Sequence, residues 1–189
     1  MRSHTLYIVL AAFSIILSSC NKQDDETHMN IVIAPTPTEF NIAINSSTTA
    51  GTDLAEIPLN YNLDSLVKDQ NGRFGTNNIA TLKLSEISFL LLDTPKVDYT
   101  FSNVENASIF IQATGQSRSA ALATVSTPET EQPAIIGSLS PTLTATDNDL
   151  KSYLTGSAVK FILTGKLRTP TTKILRVRLT TKYRATMSL

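Results

Sequence analysis

Along most of the chain, apolar and polar residues alternate with a period of two. Phe40, Ile42 and Ile44 alternate with polar neighbours; Ile57, Leu59, Tyr61 and Leu63 do the same, as do Ala107, Ile109, Ile111 and Ala113. Each run predicts a half-buried strand. The most apolar stretch, 79–92, changes phase. Leu82 and Leu84 hold even positions, whereas Ile87, Phe89 and Leu91 hold odd ones, so a β-bulge is expected near Ser85-Glu86 in a central strand. Leu139, Leu143 and Ala145 mark a further strand. Two short helical crossovers are expected: one over Asp64–Asp69, capped by Asp64 and stopping before Gly72, and one after the capping run Thr146-Asp147-Asn148-Asp149.

The end of the chain carries the clearest pattern. In 157–168 the odd positions Val159, Phe161, Leu163 and Leu167 are apolar, and the even face carries Lys160, Lys166 and Arg168. In 173–187 the odd positions Leu175, Val177, Leu179, Tyr183 and Met187 are apolar, and the even face carries Arg176, Arg178, Lys182 and Arg184. With Thr169-Pro170-Thr171-Thr172 as a turn, the two runs read as a closing hairpin. Keeping both apolar faces in the core then sets Lys166 opposite Arg176 and Lys160 opposite Lys182, a mildly destabilising arrangement that invites a compensating anion. Two readings of these seven cations stay open. They are either a solvated outer face paired with acids on neighbouring strands, the default for such a face, or a binding face for phosphate, sulfate, an anionic glycan or lipopolysaccharide.

Together the strands predict one all-β domain, an immunoglobulin-like antiparallel β-sandwich of about seven to nine strands. Composition agrees: 189 residues are room for one ordinary domain, and 26 threonines and 19 serines with no tryptophan favour strands over helical bundles. The formal net charge of zero hides a division. Residues 20–149 carry 6 basic and 16 acidic side chains, whereas 150–189 carry 9 basic and none acidic.

The first residues are of another kind. Arg2 and His4 precede an apolar run from Leu6 to Leu17, too short for a stable membrane-spanning helix, which reads as the core of a secretory signal peptide. Leu17-Ser18-Ser19-Cys20 resembles the lipobox of bacterial lipoproteins, in which the signal is cut before the cysteine and the cysteine is acylated. The resemblance implies a signal peptide over 1–19, lipidation at Cys20 and a hold on the membrane through two or three acyl chains, palmitate among them, at about 0.8 kcal/mol per buried CH₂. Residues 20–37, polar and acidic and then Pro-rich, read as a tether, with the folded domain over 38–189. Lys22-Gln23-Asp24-Asp25-Glu26 resembles the acidic export signal of Bacteroidota surface lipoproteins, with Gln23 interrupting the pattern. This implies an outer-membrane protein, displayed at the surface or on the periplasmic face.

Removing the signal leaves His28 as the sole histidine and commits Cys20 to the anchor, so a Ser-His-Asp triad, a Cys-His pair and a Cys/His zinc site all lack parts. Neither a cofactor nor a metal is expected. Asp147-Asn148-Asp149 resembles the start of a calcium loop, but Lys151 stands where an oxygen ligand is wanted. Asp64-Ser65-Leu66 resembles the O-glycosylation motif of Bacteroidota exported proteins, which makes Ser65 a candidate acceptor; Asn45 and Asn106 begin N-glycosylation patterns that a bacterial lipoprotein does not ordinarily use. Glu86, Asp93, Asp98 and Glu105 are the carboxylates that would have to converge for glycoside hydrolysis. Tyr61 and Tyr183 read as core, which leaves Tyr99 and Tyr153 as the tyrosines to test for ligand contact. The leading functional expectation is a non-catalytic binding, adhesion or assembly module, its partner an anionic glycan, lipopolysaccharide or another surface protein rather than nucleic acid. The alternatives are a glycan-binding accessory of a polysaccharide-uptake system and a carboxylate-dependent hydrolase.

Overall fold

The computed structural model describes residues 28–44, 48–95, 100–127, 135–144, 148–156 and 158–188. It is the expected all-β antiparallel sandwich, with ten strands among the described residues. One sheet places β10 (Leu175–Met187) between β4 (Ile79–Leu91) and an edge made of β1 (Met29–Ile33) and β2 (Thr38–Ile42), with β7 (Ser138–Leu139) beyond β4. The second sheet runs β3 (Thr52–Pro58), β9 (Lys160–Leu167), β5 (Val104–Gln112), β6 (Ala123–Ser126), β8 (Thr142–Leu143). The core fills the space between them. Ile33, Leu82, Val177 and Tyr183 from the first sheet meet Ile57, Ile109, Ile111 and Phe161 from the second, all essentially inaccessible to solvent.

β1 and β2 form one interrupted edge. β1 pairs with the C-terminal half of β10 (Met29 with Met187, Ile33 with Tyr183) and β2 with its N-terminal half (Thr38 with Leu179, Ile42 with Leu175). Ala34-Pro35-Thr36-Pro37 makes the break, and an edge is where proline's missing N–H is tolerated. This corrects the expected tether, because residues 29–33 belong to the sandwich. Their short alternation is masked in sequence by the two prolines that follow.

The bulge in β4 lies where the phase flip places it. Lys182 pairs with Glu86 and Tyr183 with Leu84, so Ser85 is the extra residue, and its hydroxyl donates to the Lys182 carbonyl. A second irregularity between Thr186 and Met187 returns Ile79 to the core side.

The closing hairpin does not form. β9 and β10 lie in opposite sheets, joined by a crossing segment in which the Arg168 amide donates to the Asn103 carbonyl and the buried Thr171 hydroxyl to that of Ala43. Parting the two strands removes the like-charge pairs a hairpin would impose and gives each strand acid-bearing neighbours. β9 comes very close to β5 at its bulge. A Cβ on Gly165 would run into the Asn106 carbonyl oxygen and lie 2.9 Å from Leu54, so only glycine fits.

The run Ile57–Leu63 is also shorter as a strand than its alternation suggests. β3 ends at Pro58, and α1 (Leu63–Gln70) begins at Leu63. Its N-cap is Asn62, whose side chain accepts from the Ser65 amide, rather than Asp64, which sits in the first turn. Helix α2 (Lys151–Leu154) follows Asp149, whose Oδ1 accepts from the amides of Lys151 and of Leu82 on β4. Leu139 and Leu143 fall in two separate short strands, one in each sheet, with Ser140-Pro141 between; Ala145 lies outside the described residues. Among the described residues no helix is long and apolar enough to cross a membrane.

Candidate functional site

The seven cations do not make one face. Lys160, Lys166 and Arg168 follow β9 on the second sheet, and Arg176, Arg178, Lys182 and Arg184 line β10 on the first. Five of them are paired with acids: Lys160 with Glu56 at 2.7 Å, Lys166 with Glu105 at 2.9 Å, Arg176 with Asp93 at 3.7 Å, Arg178 with Glu39 at 2.8 Å and Lys182 with Glu86 at 2.7 Å. Arg168 donates to the carbonyl and hydroxyl oxygens of Thr127. Arg184 makes no ion pair with a described residue and stands opposite Lys83, with Val32 on its other side. The single anion-binding face is therefore corrected to two outer faces, whose charges are largely matched by neighbouring strands.

Arg118 belongs to the same pattern. Its guanidinium forks onto Asp53 of β3 at 3.3 and 3.1 Å and lies 5.5 Å from the ring centroid of Phe110 on β5. It thus spans β9, where Ile162 pairs with both Glu56 and Phe110 and is buried although it points away from the core. The aliphatic stem of an arginine can cover such a residue while its head stays wet.

Other expected sites are placed as follows. Ser65 is exposed on the first turn of α1. Cys20, Asn45, Asp98, Tyr99 and Asp147 lie outside the described residues. Glu86, Asp93 and Glu105 do not converge; each engages a different cation, and Glu86 and Glu105 belong to different sheets. Asp149 spends its carboxylate on two backbone amides, which makes it a cap rather than a calcium ligand. Tyr153 borders a concavity of about 280 Å³ with Ser119, Asn148 and Asp149.

A larger cleft was not expected. About 470 Å³ in volume, it opens where β3 runs into α1, between Asn60, Tyr61, Asn62 and Asp64 on one side and Thr76 and Thr155 on the other. Tyr61 is fixed from below. Its hydroxyl bonds that of the wholly buried Tyr183 at 2.7 Å, and the rings lie 6.2 Å apart, tilted by 52°. Burial raises the pKa of both phenols: that of Tyr183 rises to about 12, and in Tyr61 the neighbouring Tyr183 adds to the effect. Asp64 pairs with Lys68 through Oδ2 and accepts from the Thr76 amide through Oδ1 at 3.0 Å. The Lys68 ammonium, and then the Thr76 amide, hold its carboxyl below the usual carboxylate range. Gly75 leaves room for this carboxylate, since a Cβ there would come within 2.8 Å of Oδ1. The only sequence signal for the cleft is Asn60-Tyr61-Asn62, a polar, turn-forming cluster inside a run whose alternation reads as strand.

No family model matches the chain, and no curated protein matches it. Among solved structures, a chain from Desmodium yellow mottle tymovirus is similar at a TM-score of 0.29 and 12% identity, over 85% of this chain and 90% of that one. That likeness carries no functional argument.

Proposed function

We propose that this protein is an exported lipoprotein, held in the outer membrane through acylated Cys20 and displayed on the cell surface, that serves as a non-catalytic binding, adhesion or assembly module. The observation that carries the reading is the closeness of the fold to the lipobox. β1 begins at Met29, so the eight residues 21–28 separate the sandwich from Cys20. Fully extended, they reach about 28 Å. The start of β1 lies at the same end as the cleft: Met29 pairs with Met187, Met187 with Ile79, and the Asn78 carbonyl, at the end of the turn that carries Thr76, accepts from the Ser188 amide. A rigid sandwich on so short a lead suits a module that works close to the bilayer. The ion-paired outer faces support binding elsewhere than on a basic patch.

Labelling of cells with radioactive palmitate, followed by fractionation and surface biotinylation, tests this. The wild-type chain is expected to carry label, sediment with outer membranes and react from outside. Cys20→Ser should lose the label and leave the membrane fraction. A Cys20→Ser protein that still carries palmitate, or a wild type without label, contradicts the proposal.

A further inference from the structure

The cleft between β3 and α1 has the properties of a preformed site. Tyr61 belongs to no strand or helix, yet its bond to Tyr183 ties it to the core, so little order is lost when a ligand arrives. Asn62 uses its side-chain oxygen as the cap of α1 and keeps its NH₂ group as a donor, while Asn60 is exposed and makes no hydrogen bond with a described residue. Asp64 is held by Lys68 and Thr76, and a carboxylate has about four lone-pair sites, so acceptor capacity remains.

Charge then narrows the ligand. Among the described residues no cation lines the cleft, which argues against an anion, and the charge of Asp64 is already matched by Lys68, which argues against a cation. What remains is a neutral molecule rich in hydroxyls, with an apolar face to set against an aromatic wall. The volume of about 470 Å³ falls within the range of roughly 300–1,000 Å³ common for small-molecule sites.

We infer that the cleft binds a neutral saccharide, its hydroxyls bonded to Asp64, Asn60 and Asn62 and one sugar face laid against Tyr61. The inference rests on the reading of the chain as a binding module. Because the cleft shares an end with the start of β1, a free saccharide and the sugar headgroup of a glycolipid present it with the same chemistry.

Amide NMR spectra of the intact lipidated chain in zwitterionic micelles provide the test. One arm adds methyl glycosides of glucose, galactose, mannose and N-acetylglucosamine; the other mixes a galactosyl diacylglycerol into the micelles. Saturable shifts are expected at residues 59–64, 76 and 154–156 with at least one probe, weakened about tenfold in Asn60→Ala and in Asp64→Asn, the scale of one lost hydrogen bond. Shifts in the first arm support a free saccharide, and shifts only in the second support a glycolipid. No shift at these positions with any probe, or shifts indifferent to both substitutions, overturns the inference. Neither result alters the palmitate labelling of Cys20, so the site and the anchored module fail separately.

Discussion

The hydroxyl of Tyr183 sits in the core, where Tyr61 and the side chain of Thr181 both bond it. Tyr61→Phe removes one of these two bonds and is expected to cost about 0.5–1.5 kcal/mol. Tyr183→Phe takes a partner from both the half-buried Tyr61 hydroxyl and the buried Thr181 hydroxyl and is expected to cost more, about 1–3 kcal/mol. Because the two residues share one bond, the double variant should lose less than the sum. The pair also predicts a pH dependence. Unfolded phenols ionise near pH 10, whereas folded Tyr183 holds its proton to about pH 12. Between these values the unfolded state binds fewer protons, so the stability present in full below pH 10 falls as pH rises toward 12. Urea unfolding from pH 8 to 11.5 should show this fall, and the double Phe variant should show a shallower one. An equally steep fall in that variant would assign it to other groups. Little of this pairing is legible in the sequence: alternation marks both tyrosines as core residues, but it does not say that two hydroxyls 122 positions apart meet.

At the scale of elements, the alternation reports which face a residue takes and says nothing about which strand lies beside it. The bulge at Ser85 is legible because a bulge is itself a change of phase. The partners of β9 and β10 are not, because a hairpin and a crossing between sheets both keep Phe161, Leu163, Val177 and Leu179 in the core. The signal that separates the two arrangements is charge, since seven cations with no acid among them suit strands flanked by Glu39, Glu56, Glu86 and Glu105 better than they suit each other. β1 is hidden for a different reason: an edge strand of five residues followed by Pro35 and Pro37 looks like linker. Gly165 gives the element scale its test. Gly165→Ala drives a methyl into the Asn106 carbonyl and should cost about 1–3 kcal/mol, lowering Tm by about 3–10 °C in a domain of this size. Gly72→Ala meets nothing within 4 Å and serves as the control, with a Tm close to wild type. Equal melting of the two variants would mean that β9 and β5 are not so close.

At the scale of the whole molecule, the acidic first part of the chain and its basic end come together in one sandwich. The division of charge that leaves an anion-binding face open in sequence closes into ion pairs, all of them exposed or half-exposed and worth about 0–1 kcal/mol, which set partners more than they add stability. The two ends of the sandwich remain different. One carries the start of β1 and the cleft; the other carries Asn103 and the crossing segment with Thr171, separated by the length of β10, about 40 Å for its 13 residues. On the function proposed above, a short lead from acylated Cys20 holds the first of these ends at the bilayer. The most direct test is paramagnetic broadening of amide signals in the lipidated chain on nanodiscs containing a gadolinium-labelled lipid. Strong broadening is expected at Asn62, Asn78 and Thr155, with Asn103 and Thr171 spared; uniform broadening, or the reverse pattern, would mean that this end does not face the bilayer.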